Sequence, residues 1–175
     1  FDKEIAKMDV NDVRYMEHFY GDYHELSVLA DYSYLDGDLA LPKDWTDLKD
    51  DPKVGKVIKD IIADGGFDAG LKWSIHKKGD RYVLAFAGTD FIKKPYTIEK
   101  ISEFLNDAYT DYEGTFHSNA PQVKIAGTVV QRLVQEAGIP LEKLEFTGHS
   151  LGGRLASEMS VKFGCPATTF NGAGV

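Results

Sequence analysis

The clearest hydrophobic pattern lies in the middle of the chain, where two strand-like runs flank a short polar turn. Residues 71–76 alternate apolar and polar side chains, as a half-buried strand does. Residues 82–87 are almost continuously apolar, which is typical of a strand buried on both faces. With the turn at residues 77–80 between them, the two runs predict a β-hairpin whose second strand is central to a sheet.

Helical periodicity appears on both sides of this hairpin, because apolar side chains recur there at intervals of three and four residues. The segments with this pattern are residues 24–35, 52–63, 97–109 and 119–137, and a further helix ends at Phe163. Shorter strand-like runs cover residues 143–147 and 167–170. Strands therefore alternate with helices, and the order βαβαβ predicts an α/β domain with a mainly parallel sheet flanked by helices.

Composition is that of a globular single-domain protein. The chain has 175 residues, of which 43% are hydrophobic and 12% aromatic, so it can bury a core. A net charge of −8 argues against a nucleic-acid partner, because phosphate binding requires a basic surface. Cys165 is the single cysteine, which suits a reducing compartment or a secreted bacterial protein built without disulfides.

The segment Gly148-His149-Ser150-Leu151-Gly152 carries the most specific chemical signal. It lies between a strand-like run and a helix-like run, the context in which G-x-S-x-G forms a nucleophile elbow. So tight a turn needs glycine at Gly148 and Gly152, where a Cβ has no room. Ser150 would stand at the start of the helix, where the dipole and free N–H groups favour developing negative charge. We therefore predict Ser150 as a nucleophile and the Leu151 N–H as an oxyanion donor, the alternative being an ordinary N-cap serine.

A second candidate lies at the end of the central strand. Gly88 and Thr89 follow the buried run, and ligand sites in open α/β sheets lie at the carboxyl ends of strands. A turn there can present the N–H of Thr89 to an oxyanion, although the same residues also suit an ordinary strand-ending turn.

His149 is not predicted to be the general base, because neighbouring side chains on a sharp elbow point in different directions. We expect it to pack under or beside the elbow.

Three motifs, in this order, resemble those of the class 3 lipase family and its bacterial lipase and phospholipase relatives. The resemblance runs from about residue 26 onward, and its motifs are Ala85-Phe86-Ala87-Gly88-Thr89, Glu103-Phe104-Leu105-Asn106-Asp107-Ala108 and Thr147-Gly148-His149-Ser150-Leu151-Gly152-Gly153. It implies an α/β-hydrolase fold, with Ser150 as the nucleophile and with Thr89 and Leu151 as oxyanion donors. It also implies that Asp107 supports the oxyanion loop. The substrate would be a lipid or another acyl ester, and no metal or organic cofactor is required.

The remaining catalytic groups are not found where the order of an α/β-hydrolase places them. In that order the serine precedes an Asp or Glu and then a His. After Ser150, however, Glu158 is the only acidic residue and no histidine follows. We interpret residues 1–175 as the N-terminal part of one lipase-like domain, incomplete on its C-terminal side and truncated before the catalytic Asp and His. The rest of the parent protein would supply these groups, and the fragment alone is expected to be inactive.

Three functional hypotheses stay open at this stage. The first is a serine ester hydrolase of the lipase or phospholipase type, with possible transient contact to a membrane surface. The second is a catalytically silent α/β-hydrolase-like domain that binds a partner or serves as a structural part of a larger protein. The third is thioesterase or acyltransferase chemistry on the same elbow.

No metal site is predicted, since Asp107, Asp111 and Glu113 lack the spacing of a calcium-binding loop.

Overall fold

The computed structural model describes residues 10–34, 39–67, 70–89 and 121–170. These ranges contain four α-helices, namely α1 (Val10–Tyr32), α2 (Val54–Ile61), α3 (Pro121–Gln135) and α4 (Ser150–Phe163). They also contain five strands, namely β1 (Thr46–Asp47), β2 (Leu71–Lys78), β3 (Arg81–Thr89), β4 (Leu144–His149) and β5 (Ala167–Phe170).

The strands form one mixed sheet in the order β1-β2-β3-β4-β5. β2 is antiparallel to both of its neighbours, whereas β3, β4 and β5 pair in parallel. Every strand except β2 therefore runs in the same direction. The predicted α/β architecture, a mostly parallel sheet with flanking helices, is confirmed at this level.

Helices cover both faces of the sheet because the central strand is apolar on both sides. Val83 of β3 faces α1, where it joins Leu26 and Leu29 in one buried cluster. Leu84 and Phe86 alternate to the other face and join the larger core beneath α2, α3 and α4. All five residues from Val83 to Ala87 are buried, as the continuous apolar run predicted.

Some element boundaries differ from the sequence-based prediction. α1 begins at Val10, although only residues 24–35 were expected to be helical, because the preceding mixture of acids and aromatics has no regular apolar stripe. β1 lies in a segment expected to be a loop, where the adjacent Trp45 is buried. The hairpin turn shortens to Gly79 and Asp80, with Gly79 at a φ of +61°. The helix predicted over residues 97–109 lies outside the described residues.

Charged side chains attach α1 to the sheet. The guanidinium of Arg81 on β3 bonds to Asp22 on α1 and to Glu145 on β4. Glu25 on α1 accepts from the Lys78 ammonium at 2.7 Å and from the indole N–H of Trp45 at 2.8 Å. Together with the apolar cluster, these bonds fix α1 across β3 and β4.

His76 is a buried titratable group on β2. Its side chain has 0% exposure, and its Nε2 lies 2.8 Å from Ser74 Oγ. Its ring meets the ring of Tyr32 edge to face, at 5.0 Å between centroids. Within the described part of the chain, Nδ1 has no hydrogen-bond partner. Burial lowers the pKa of His76 to about 4, and the neighbouring charge of Asp47 offsets this only in part.

We expect His76 to reduce the free energy of unfolding by about 2 kcal/mol between pH 7 and pH 5. The imidazole in the unfolded chain has an ordinary pKa of about 6.5, whereas the folded value is about 4. The unfolded state therefore takes up a proton that the folded state excludes, and stability present above the unfolded pKa is lost as the pH falls.

Urea unfolding at the two pH values measures this loss. The variant His76→Gln has no titrating group at this position and serves as the comparison. It should lose that part of the pH dependence, and an identical pH dependence in the two proteins would contradict the assignment to His76.

Candidate functional site

Ser150 has a strained backbone at the junction of β4 and α4. Its φ is +50°, and among the described non-glycine residues only Asp44 shares a positive value. The left-handed conformation costs a non-glycine residue roughly 1–2 kcal/mol, so the surrounding structure must hold it in place. An ordinary N-cap serine has an extended backbone. The geometry of Ser150 is therefore that of a sharp strand-to-helix turn and not that of a simple cap.

Two glycines allow this turn to pack against the sheet. A Cβ on Gly148 would lie 2.5 Å from the carbonyl oxygen of Gly152 and 2.7 Å from that of Phe86. A Cβ on Gly152 would overlap the carbonyl oxygen of Phe86 and lie 2.7 Å from its carbonyl carbon. The obstacles are backbone atoms of β3 and of α4, which cannot move aside as the end of a flexible side chain could. The first turn of α4 thus lies in direct contact with β3.

The register of the parallel strands brings the predicted site residues to one edge. Phe86 of β3 pairs with Gly148 of β4, and Thr89, the last residue of β3, lies three positions beyond Phe86. Ser150 lies two positions beyond Gly148, so β3 and β4 both end at the same edge of the sheet. Asp107 lies outside the described residues.

Leu151 is the second residue of α4 and is half-buried. N–H groups in the first turn of a helix have no acceptor within the helix, and they point along the axis away from it. The Leu151 N–H is therefore a donor beside Ser150. The positive end of the helix dipole favours an anion at the same place.

His149 packs beside the elbow and is held from two sides. Its Nε2 lies 3.3 Å from Asp31 Oδ1, and its ring centroid lies 5.2 Å from that of Phe170. Its carbonyl oxygen accepts a hydrogen bond of 3.1 Å from the hydroxyl of Tyr34. Sequence reasoning did not single out Asp31 or Tyr34, because nothing in the pattern of α1 indicates that its end reaches the elbow.

Two ionisable groups near His149 have shifted pKa values. Burial raises the pKa of Tyr34 well above its usual range, and the nearby Asp31 adds to this rise. Burial also raises the pKa of Asp31, although the imidazole of His149 acts in the opposite direction. The Tyr34 hydroxyl therefore stays protonated and remains a donor at any ordinary pH.

The other candidate groups are engaged elsewhere in the fold. Glu158 Oε1 lies 3.6 Å from Arg154 Nη2, one turn away on α4. The described residues contain no group of three His, Cys, Asp or Glu side chains that could hold a metal ion. Nor does any helix in the described ranges have the length and apolarity needed to cross a bilayer.

Comparison with known families gives one clear result. The family model of the Tle-like phospholipase domain, a phospholipase-like family, matches residues 25–175. The chain belongs to this family. The Tle-like match confirms the phospholipase part of the resemblance seen in the sequence, but it does not single out the class 3 lipases. Membership indicates a phospholipase-type hydrolase that acts on a lipid. A comparison of this chain with curated proteins found no match.

Gly152→Ala is expected to lower the free energy of unfolding by more than about 2 kcal/mol, because the new methyl group would overlap the Phe86 carbonyl. The matched control is Gly127→Ala on α3, where the new Cβ meets only the flexible side chain of Lys162, with the ammonium 2.5 Å away. Because alanine favours a helix, the control should be neutral or more stable by up to about 1 kcal/mol. Urea unfolding followed by circular dichroism measures both, and equal losses would refute the close contact.

Proposed function

We propose that this domain hydrolyses an acyl ester bond of a phospholipid through an acyl-enzyme formed on Ser150. The observation that carries the proposal is the left-handed φ of +50° at Ser150, on a turn whose glycines meet the backbone of β3. Strain of this kind in a non-glycine residue is typical of functional sites. It is also the feature that exposes the hydroxyl of a nucleophile elbow above an α/β-hydrolase sheet.

Two backbone N–H groups are the proposed oxyanion donors. Leu151 contributes the N–H that follows the nucleophile, from the first turn of α4, and Thr89 contributes one from the end of β3. As Ser150 Oγ attacks the ester carbonyl, the carbonyl oxygen gains negative charge and these donors stabilise it. Asp107 is proposed to support the loop that carries Thr89.

Proton transfer requires a histidine and an acid in addition to Ser150. His149 is bound to Asp31 and packs on Phe170, and no histidine follows Ser150 in residues 1–175. We therefore propose that the general base and its acid come from chain outside this range. Residues 1–175 alone should then show no ester hydrolysis.

The proposed substrate also implies where the protein works. A phospholipid is presented at a membrane surface, so the enzyme would contact that surface transiently during turnover. Acyl transfer through a serine needs no metal or organic cofactor.

A fluorophosphonate probe tests the nucleophile in the protein as its gene encodes it. The probe is expected to label Ser150 covalently, and Ser150→Ala is expected to abolish both the labelling and the release of fatty acid from phospholipid vesicles. The hydroxyl is the attacking group, so activity should fall by at least about 10³-fold.

The second candidate is a catalytically silent domain, favoured by the engagement of His149, the neighbour of Ser150, with Asp31 and Phe170. It predicts no labelling and no fatty-acid release from the full chain, whereas the enzyme predicts both. Turnover that requires an added alcohol or thiol acceptor would instead indicate an acyltransferase. Equal labelling of the parent protein and of Ser150→Ala would remove Ser150 from the mechanism.

A further inference from the structure

We propose that Asp31, in the last turn of α1, and Tyr34, two residues beyond the end of that helix, position the nucleophile by holding the side chain and the backbone of His149. This inference rests on the function proposed above. We call Asp31 and Tyr34 the α1 clamp. They are positioning residues, because their contacts are with His149 and not with the reacting atoms.

Tyr34 controls the backbone part of the clamp. Its hydroxyl donates to the carbonyl oxygen of His149 at 3.1 Å. That carbonyl belongs to the same rigid peptide plane as the N–H of Ser150. The φ of Ser150 is the rotation between this plane and the Cα of Ser150, so fixing the carbonyl fixes one side of the strained angle. The bond therefore opposes relaxation of Ser150 from +50° to an ordinary negative φ.

Asp31 controls the side-chain part of the clamp. Its carboxylate lies 3.3 Å from the Nε2 of His149, and the ring of Phe170 packs on the same imidazole. Tyr23 of α1 in turn meets Phe170 edge to face, at 6.2 Å between centroids. The imidazole thus lies between α1 and the end of β5, which prevents His149 from rotating and turning the elbow with it.

The position of α1 does not depend on the clamp. Asp22 and Glu25 attach the helix to Arg81 and Lys78, and Leu26 and Leu29 are buried against the sheet. The side chain of Asp31 is 55% exposed. Conservative changes at the two clamp residues should therefore leave the fold intact, so any loss of reactivity can be separated from unfolding.

Tyr32 provides the matched control. It is the last residue of α1, two positions before Tyr34, but its hydroxyl donates to Asp47 Oδ2 at 3.1 Å, away from the elbow. Tyr32→Phe removes the same atom as Tyr34→Phe without touching His149. Asp31→Asn keeps the shape of the side chain and removes its charge.

The experiment measures the rate constant for fluorophosphonate labelling of Ser150 in the full chain, together with kcat and KM on phospholipid vesicles. Tyr34→Phe and Asp31→Asn should each lower the labelling rate and kcat about tenfold, the effect of one lost or weakened polar contact. KM should change little, and the thermal midpoint should fall no further than it does in Tyr32→Phe. Tyr32→Phe should label at the rate of the parent protein.

The outcomes separate this proposal from the function on which it rests. If Ser150 is labelled at the same rate in the parent protein and in both clamp variants, the clamp is refuted while the serine hydrolase stands. If KM alone changes, or if Tyr32→Phe slows labelling as much as Tyr34→Phe, the positioning argument is also wrong. If Ser150 of the parent protein is not labelled at all, the proposed function fails and the clamp fails with it.

Discussion

The first turn of α4 lies directly on the backbone of β3, and this close contact determines the geometry of the turn at Ser150. Gly152 touches the Phe86 carbonyl, and no side chain larger than a hydrogen atom fits between them. This approach sets where α4 begins and how sharply the chain turns after β4. It also requires a left-handed residue at the turn, and Ser150 occupies that position. Packing and the proposed chemistry at this edge therefore depend on the same contact.

Strain at Ser150 persists because neighbouring elements hold it from more than one side. The glycine contact acts from the core face of the sheet, where α4 packs on β3 and β4. α1 acts from the opposite face through the carbonyl and the imidazole of His149. Each contact is worth a few kcal/mol at most, comparable to the cost of the left-handed backbone. A three-layer fold is thus suited to maintain a strained serine at its edge.

Two charged or titratable side chains, His76 and Arg81, affect the stability of the folded chain and the position of α1. Buried His76 is neutral in the folded chain, because its pKa is lowered to about 4. The free energy of unfolding therefore falls as the pH is lowered. Arg81 joins α1 to two strands and keeps the layers in register. Neither group takes part in the proposed chemistry. Both belong to the frame that keeps α1 in position near the elbow.

The amino-acid sequence was enough to predict the central hairpin, the helix α3 and the strand–turn–helix around Ser150, and its motifs resembled those of phospholipases. The hairpin, the helix and the turn follow from the spacing of neighbouring residues, which local steric and hydrophobic preferences dictate. The family relationship follows instead from the resemblance of three motifs. The folded protein was needed to show that α1 starts at Val10, that Trp45 is buried beside β1, and that Asp31 and Tyr34 reach His149. Residues 34 and 149 are far apart in the chain, and their contact depends on how α1 lies across the sheet. No local pattern encodes that geometry, because the position of α1 on the sheet results from many weak packing interactions between distant residues.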